Sequence, residues 1–118
     1  MSTSLAKSYQ VRPDDQITLA ITVGHGQLGT TTVHLEQTEL VKDYKEPLEL
    51  ILPDKGKNLD GKTLKCSTVV AAYQKDMKDT SVTYQLKGGV RTLEHTLKQN
   101  VTQQGQTVFY SARFSLYI

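Results

Sequence analysis

The chain has no tryptophan, only one cysteine, no long apolar run and no block of like charge, and each absence closes off a class of protein. A lone Cys66 excludes an intramolecular disulfide framework, so a chain of 118 residues must hold itself together through a core, and it is long enough to bury one. Cys66 alternates with Leu64 and Thr68, which reads as a small buried hydrophobe and not as a nucleophile. The 14 basic and 12 acidic side chains are interspersed and leave a net charge of +2, so no single-sign field implies a nucleic-acid partner. Lysines between Lys55 and Lys65 are interrupted by Asp60, and Lys75 and Lys78 are interleaved with Asp76 and Asp79; both stretches read as solvated turns.

No segment approaches the roughly 20 apolar residues that would span a bilayer, so no membrane role is expected. Met1 to Lys7 has no apolar centre like that of a secretory signal. As written, the sequence is expected to be cytoplasmic, or secreted or periplasmic if a signal peptide has been removed. Asn100-Val101-Thr102 has the form of a glycosylation acceptor, which carries meaning only in a eukaryotic secretory route.

What the chain does have is a period of two. Ile17, Leu19, Ile21 and Val23 alternate with Thr18, Ala20 and Thr22, Val33 and Leu35 alternate with Thr32, His34 and Glu36, and Val108 to Ile118 alternates along its whole length. The fold class expected is all-β, an antiparallel two-sheet sandwich of immunoglobulin-like or related type with about seven strands, and a small closed β-barrel is the alternative. One domain over residues 1–118 is expected, with residues 1–12 a polar leader. Arg12-Pro13-Asp14-Asp15 reads as a turn launching a strand from Gln16 to Val23, and a second strand runs from Thr30 to Thr38. Placing inward residues opposite inward residues predicts a hairpin in which Leu19 pairs with Leu35, Ile21 with Val33 and Gly24 with Thr30. His34 then lies opposite Ala20 on the outer face.

Residues 37–46 show no period and read as a loop or a single helical turn. Leu48 to Leu52, between Pro47 and Pro53, reads as an edge strand, and Asp54 to Gly61 as a turn. Lys62 to Gln74 is β-rich, with its later half expected to be buried on both faces. A turn over Lys75 to Asp79 is expected to close a hairpin into Ser81 to Lys87, where Val82, Tyr84 and Leu86 face inward. Val90 to Val101 has both a helical stripe and a strand alternation, and the surrounding turns favour the strand.

No constellation of catalytic type emerges, and no cofactor is expected. His25, His34 and His95 are the only histidines, and none has a partner at zinc-ligand spacing; His25 and His34 are the weak metal candidates, with Glu36 as the nearest carboxylate for a metal-assisted hydrolase. Asp54 to Gly61 has oxygen-bearing residues before a glycine, but counting back from Gly61 puts Gly56 and Ser67 at the two essential carboxylate positions of a calcium loop. Gly24, Gly26 and Gly29 follow G-x-G-x-x-G, yet Thr30-Thr31-Thr32-Val33 continues as a strand and not as the helix that a dinucleotide site needs. Tyr73, Phe109 and Tyr117 are weak candidates for an aromatic binding strip, while Tyr84 is taken up by the core. The expected function is therefore a non-catalytic module for a protein partner or for self-association. A small-ligand or carbohydrate-binding β domain is the alternative, favoured by an apolar cavity of roughly several hundred Å³.

Overall fold

In a computed structural model that describes residues 2–73 and 78–118, the chain forms nine strands and one helical turn. In order these are β1 (Ser2–Gln10), β2 (Gln16–Val23), β3 (Leu28–Leu35), β4 (Thr38–Lys45), β5 (Leu48–Lys55), α1 (Gly56–Leu59), β6 (Thr63–Ala71), β7 (Asp79–Lys87), β8 (Leu93–Asn100) and β9 (Thr107–Tyr117). They build a five-stranded sheet in the order β1-β9-β6-β3-β4, packed on a four-stranded sheet in the order β5-β2-β7-β8. The architecture is a β-sandwich and not a closed barrel. Each ladder is antiparallel except that of β1 with β9.

Period two chose the faces correctly. Ile17, Leu19, Ile21 and Val23 from one sheet meet Val33, Leu35, Leu64, Val70, Val108, Phe114 and Leu116 from the other in a single buried cluster. Tyr84 and Phe114 touch across the layers, with ring centroids 6.2 Å apart and planes tilted by 60°.

The neighbours differ from those expected. β2 and β3 form no hairpin, because they lie in different sheets: Leu19 stands between Leu50 and Leu86, Ile21 between Leu48 and Tyr84, and Val33 between Val41 and Cys66. The rule that inward residues oppose inward residues is met across the core, not along one ladder. The connecting loop turns through His25 at φ 59° and Gly26 at φ 66°, and the amide of Gly24 is held by Ser81 instead of facing Thr30. Thr18 and Ala20 therefore face outward from the four-stranded sheet and His34 from the five-stranded one, on opposite sides of the molecule. Among the described residues, only β3–β4 and β7–β8 are hairpins of consecutive strands, and the other consecutive strands lie in different layers. The hairpin expected over Lys75 to Asp79 is one of these crossings, since β6 and β7 sit in different sheets, and residues 74–77 of it lie outside the described residues.

Three further expectations are corrected. The polar leader is β1. Residues 37–46 contain β4, whose period is broken by two register shifts against β3 and by Asp43 at φ 48°. β6 is buried on one face alone, with Leu64, Cys66, Thr68 and Val70 inside and Val69 partly exposed. Residues 90–101 contain a strand, as expected, and the Pro-flanked β5 is an edge, as expected. The Arg12–Asp15 turn closes through a 3.0 Å bond from the Asp15 amide to the Arg12 carbonyl. No helix among the described residues is long and apolar enough to cross a membrane.

Three tyrosine hydroxyls stitch the layers together. Tyr84 Oη donates to Thr68 Oγ1 at 3.3 Å, and the Thr68 hydroxyl is in turn hydrogen-bonded to that of Thr31 at 2.9 Å. Tyr110 Oη meets Thr80 Oγ1 at 2.6 Å. On β1, Tyr9 Oη donates to the carbonyl of Arg91 at 2.6 Å and accepts the amide of Gly89 at 3.0 Å, pinning the first strand to the β7–β8 turn. Burial raises the pKa of all three hydroxyls, which stay neutral donors.

Candidate functional site

A sandwich leaves four edge strands, and these four are defended unequally. β4 carries Glu39, Lys42, Asp43 and Lys45 together with its register shifts. β5 contains Pro53, follows Pro47 and slips register opposite Gln16. Charges, proline and irregularity are the usual means of keeping a sheet edge from pairing with another chain.

β1 has none of these apart from Lys7. Its orientation follows from two bonds at its end: the Val11 amide donates to Tyr117 of β9 at 2.8 Å, while the Gln10 carbonyl points the other way and accepts Val90 at 3.1 Å. In a parallel ladder alternate residues bond to the same neighbour, so Thr3, Leu5, Lys7 and Tyr9 are tied to β9. Ser2, Ser4, Ala6 and Ser8 then direct both N–H and C=O to the outside. All four are small and uncharged. The comparable outward set on β8 is Glu94, Thr96, Lys98 and Asn100, since the bond from Val101 to Lys78 (2.8 Å) assigns the odd residues of β8 to β7. β8 and β1 border one flank of the sandwich, where Leu5, Leu93 and Leu97 are only partly buried. An undefended edge beside half-covered leucines is the arrangement that accepts an added strand.

The second feature is a groove of about 370 Å³ on the outer face of the five-stranded sheet. Its floor is apolar, formed by Leu28, Val69 and Ala71 with Thr30 and Thr107, and Lys45 and Glu46 stand at its rim. Phe109, the cross-strand partner of Val69, is 54% exposed beside it.

The sequence-derived candidates do not assemble. His25 lies in the β2–β3 turn and His34 six residues beyond the start of β3, which separates them by about 20 Å of strand or more. His34 faces Glu39 across the β3–β4 ladder, with Nε2 3.9 Å from its carboxylate, and Glu36 Oε1 instead accepts the Thr63 amide at 3.2 Å. His95 is on β8, paired with Tyr84 of β7 in the four-stranded sheet, the layer away from His34. No group of three or more His, Cys, Asp or Glu side chains among the described residues is placed to hold a metal ion. Phe109 and Tyr117 share the outer face of β9 but stand eight residues, about 26 Å, apart. Tyr117 lines a separate polar hollow with Gln10, Val90 and Arg91, while Tyr73 follows β6 at the Phe109 end. Cys66 is buried and its thiol pushed up to about 12 by burial, which makes it inert as a nucleophile at neutral pH.

Sequence reasoning missed β1 as the candidate. A signal was there in the run Ser2-Thr3-Ser4-Leu5-Ala6-Lys7-Ser8-Tyr9, where Leu5 and Tyr9 keep a weak period of two. No family model, curated protein or solved structure matches the chain.

Proposed function

We propose that the chain is a non-catalytic, immunoglobulin-like interaction module that recruits a protein strand along the free edge of β1. The observation that carries this reading is the asymmetry of the edges: ahead of Gln10, whose carbonyl is taken by Val90, the outward backbone groups on β1 belong to Ser2, Ser4, Ala6 and Ser8, whereas the other edges display charge, proline or register shifts. Main-chain bonds along such an edge supply affinity, and the adjacent partly buried leucines supply an apolar seat.

The test is an edge block. In Ala6→Pro the lost amide is one that points outward, so the β1–β9 ladder keeps its bonds. Immobilised wild-type chain and the folded variant are exposed to an extract of the source cells, and cross-linked products are mapped. The reading stands if a protein cross-links to residues 2–10 of the wild type and is lost from Ala6→Pro. Equal retention by both baits overturns it.

A second reading, a small-ligand domain, has the groove at Leu28, Val69 and Ala71 in its favour. The groove is open on one side and has few converging polar groups, so it encloses a ligand less than such sites usually do. Titration with an apolar dye, compared with Val69→Asp, tests it.

A further inference from the structure

We infer that the strand added at β1 is β1 of a second copy, paired antiparallel about a twofold axis at Leu5. The inference rests on the edge reading above and names the partner. An isologous contact needs a surface complementary to itself, and the outward groups of β1 allow few registers. Pairing residues whose numbers sum to ten sets Ser2 against Ser8 and Ser4 against Ala6, twice over by symmetry. All four outward residues then form hydrogen-bonded pairs, about eight main-chain bonds in all.

The neighbouring even registers do worse. A sum of eight gives Ser8 no partner within β1, and a sum of twelve calls on Gln10, whose carbonyl is already taken by Val90. A sum of fourteen also calls on Gln10 and sets Lys7 directly against Lys7, a like-charge opposition that is destabilising. In the register of ten Lys7 stands opposite Thr3, and the two Leu5 side chains meet at the axis as a close, non-hydrogen-bonded pair.

The outer-face side chains along the junction are serine and alanine, so nothing bulky stops the approach. Leu5 is only partly buried along the flank it shares with Leu93 and Leu97, and pairing covers what remains exposed. The contact joins two five-stranded sheets into one of ten strands, within the range that open sheets reach. A single strand edge is a small interface, so association is expected in the range of about tens to hundreds of micromolar.

Sedimentation of the purified chain across that range, with disulfide trapping, tests the inference. Leu5→Cys under oxidised glutathione is expected to form a covalent dimer rapidly. Thr3→Cys and Lys7→Cys are each expected to trap poorly alone and to cross-link when mixed, because the register sets three against seven. Buried Cys66 stays out of the reaction. Ala6→Pro abolishes the dimer, and Ser4→Lys serves as a second edge block should the proline variant fail to fold. The inference is overturned by a monomer at the highest concentration, by a dimer that survives both edge blocks, or by Thr3→Cys trapping itself as fast as Leu5→Cys. A monomer whose extract partners still depend on residues 2–10 removes the second copy and leaves the edge reading; extract partners indifferent to Ala6→Pro remove the edge reading itself.

Discussion

Tyr9→Phe isolates what holds the first strand to the second layer. The ring is 1% exposed and remains in place as phenylalanine, so the substitution removes only the hydroxyl and its two bonds. The Arg91 carbonyl, on an exposed residue, regains water and loses about 0.5 to 1.5 kcal/mol of net bonding, while the buried Gly89 amide is orphaned at about 1 to 3 kcal/mol. The sum is about 1.5 to 4.5 kcal/mol. With an unfolding entropy scaled to this length, each kcal/mol lowers Tm by about 4 °C, so the expected drop is about 6 to 18 °C. Thermal and urea unfolding followed by circular dichroism measure it. Tyr117→Phe, at an exposed ring on the neighbouring strand, is the control and is expected within about 0.5 kcal/mol of wild type. A Tyr9→Phe variant that melts within about 2 °C of wild type refutes the reasoning, for β1 is then held by its ladder to β9 and the Gln10–Val90 bond without help from the hydroxyl.

Other perturbations address the core and the termini of the fold. Leu19→Ala, at a fully buried site between Leu50 and Leu86, is expected to lose about 2 to 5 kcal/mol in urea titration, against about ±0.5 for Thr18→Ala. Deleting residues 112–118 takes away the part of β9 that carries Ala112, Phe114 and Leu116 and pairs with both β1 and β6; a sharp calorimetric transition in the truncated chain is the contrary result. Alkaline stability follows from Cys66: between its ordinary value of 9.0 and about 12 the folded thiol keeps a proton that the unfolded chain has released. Stability is fully present below that window and falls as pH rises through it, by up to about 1.4 kcal/mol per pH unit. Cys66→Ala is expected to shallow the fall in urea midpoints between pH 9 and 11, and an unchanged slope counts against the burial argument.

Alternation made the inward residues of β2, β7 and β9 legible, because a period of two depends only on each strand's own two faces. It is silent on neighbours. Leu19 opposite Leu35 and Leu19 packed over the layer that holds Leu35 satisfy the same hydrophobic pattern, and only the chain's repeated crossings between sheets decide between them. β4 was hidden because its bulges place Leu40 and Val41 side by side, which erases the period. β1 was hidden because an edge strand with an outer face of Ser2, Ser4, Ala6 and Ser8 buries little. The candidate site was thus illegible for the reason that makes it a candidate: an edge that has not been covered lacks the apolar signature by which strands are found. The tyrosine stitches were equally out of reach, since the partners Thr68, Thr80 and Gly89 belong to the opposite layer in each case.

The parallel pairing of β1 with β9 has a mechanical consequence. Ser2 lies level with Phe109 and Gln10 level with Tyr117, so tension applied at residues 2 and 118 runs along both strands in opposite directions. The load falls on the whole ladder at once, as in a lap joint under shear. Tension applied at residues 2 and 107 would instead enter at one end of that ladder and peel it bond by bond. In single-molecule stretching the first geometry is expected to yield at clearly higher force than the second, a rate measurement governed by the barrier to unfolding; equal forces would mean that this joint is not what gives way first. Force-bearing strength would then be a property of how the two ends of the described chain are laid side by side, independent of which strand, if any, a partner adds beyond them.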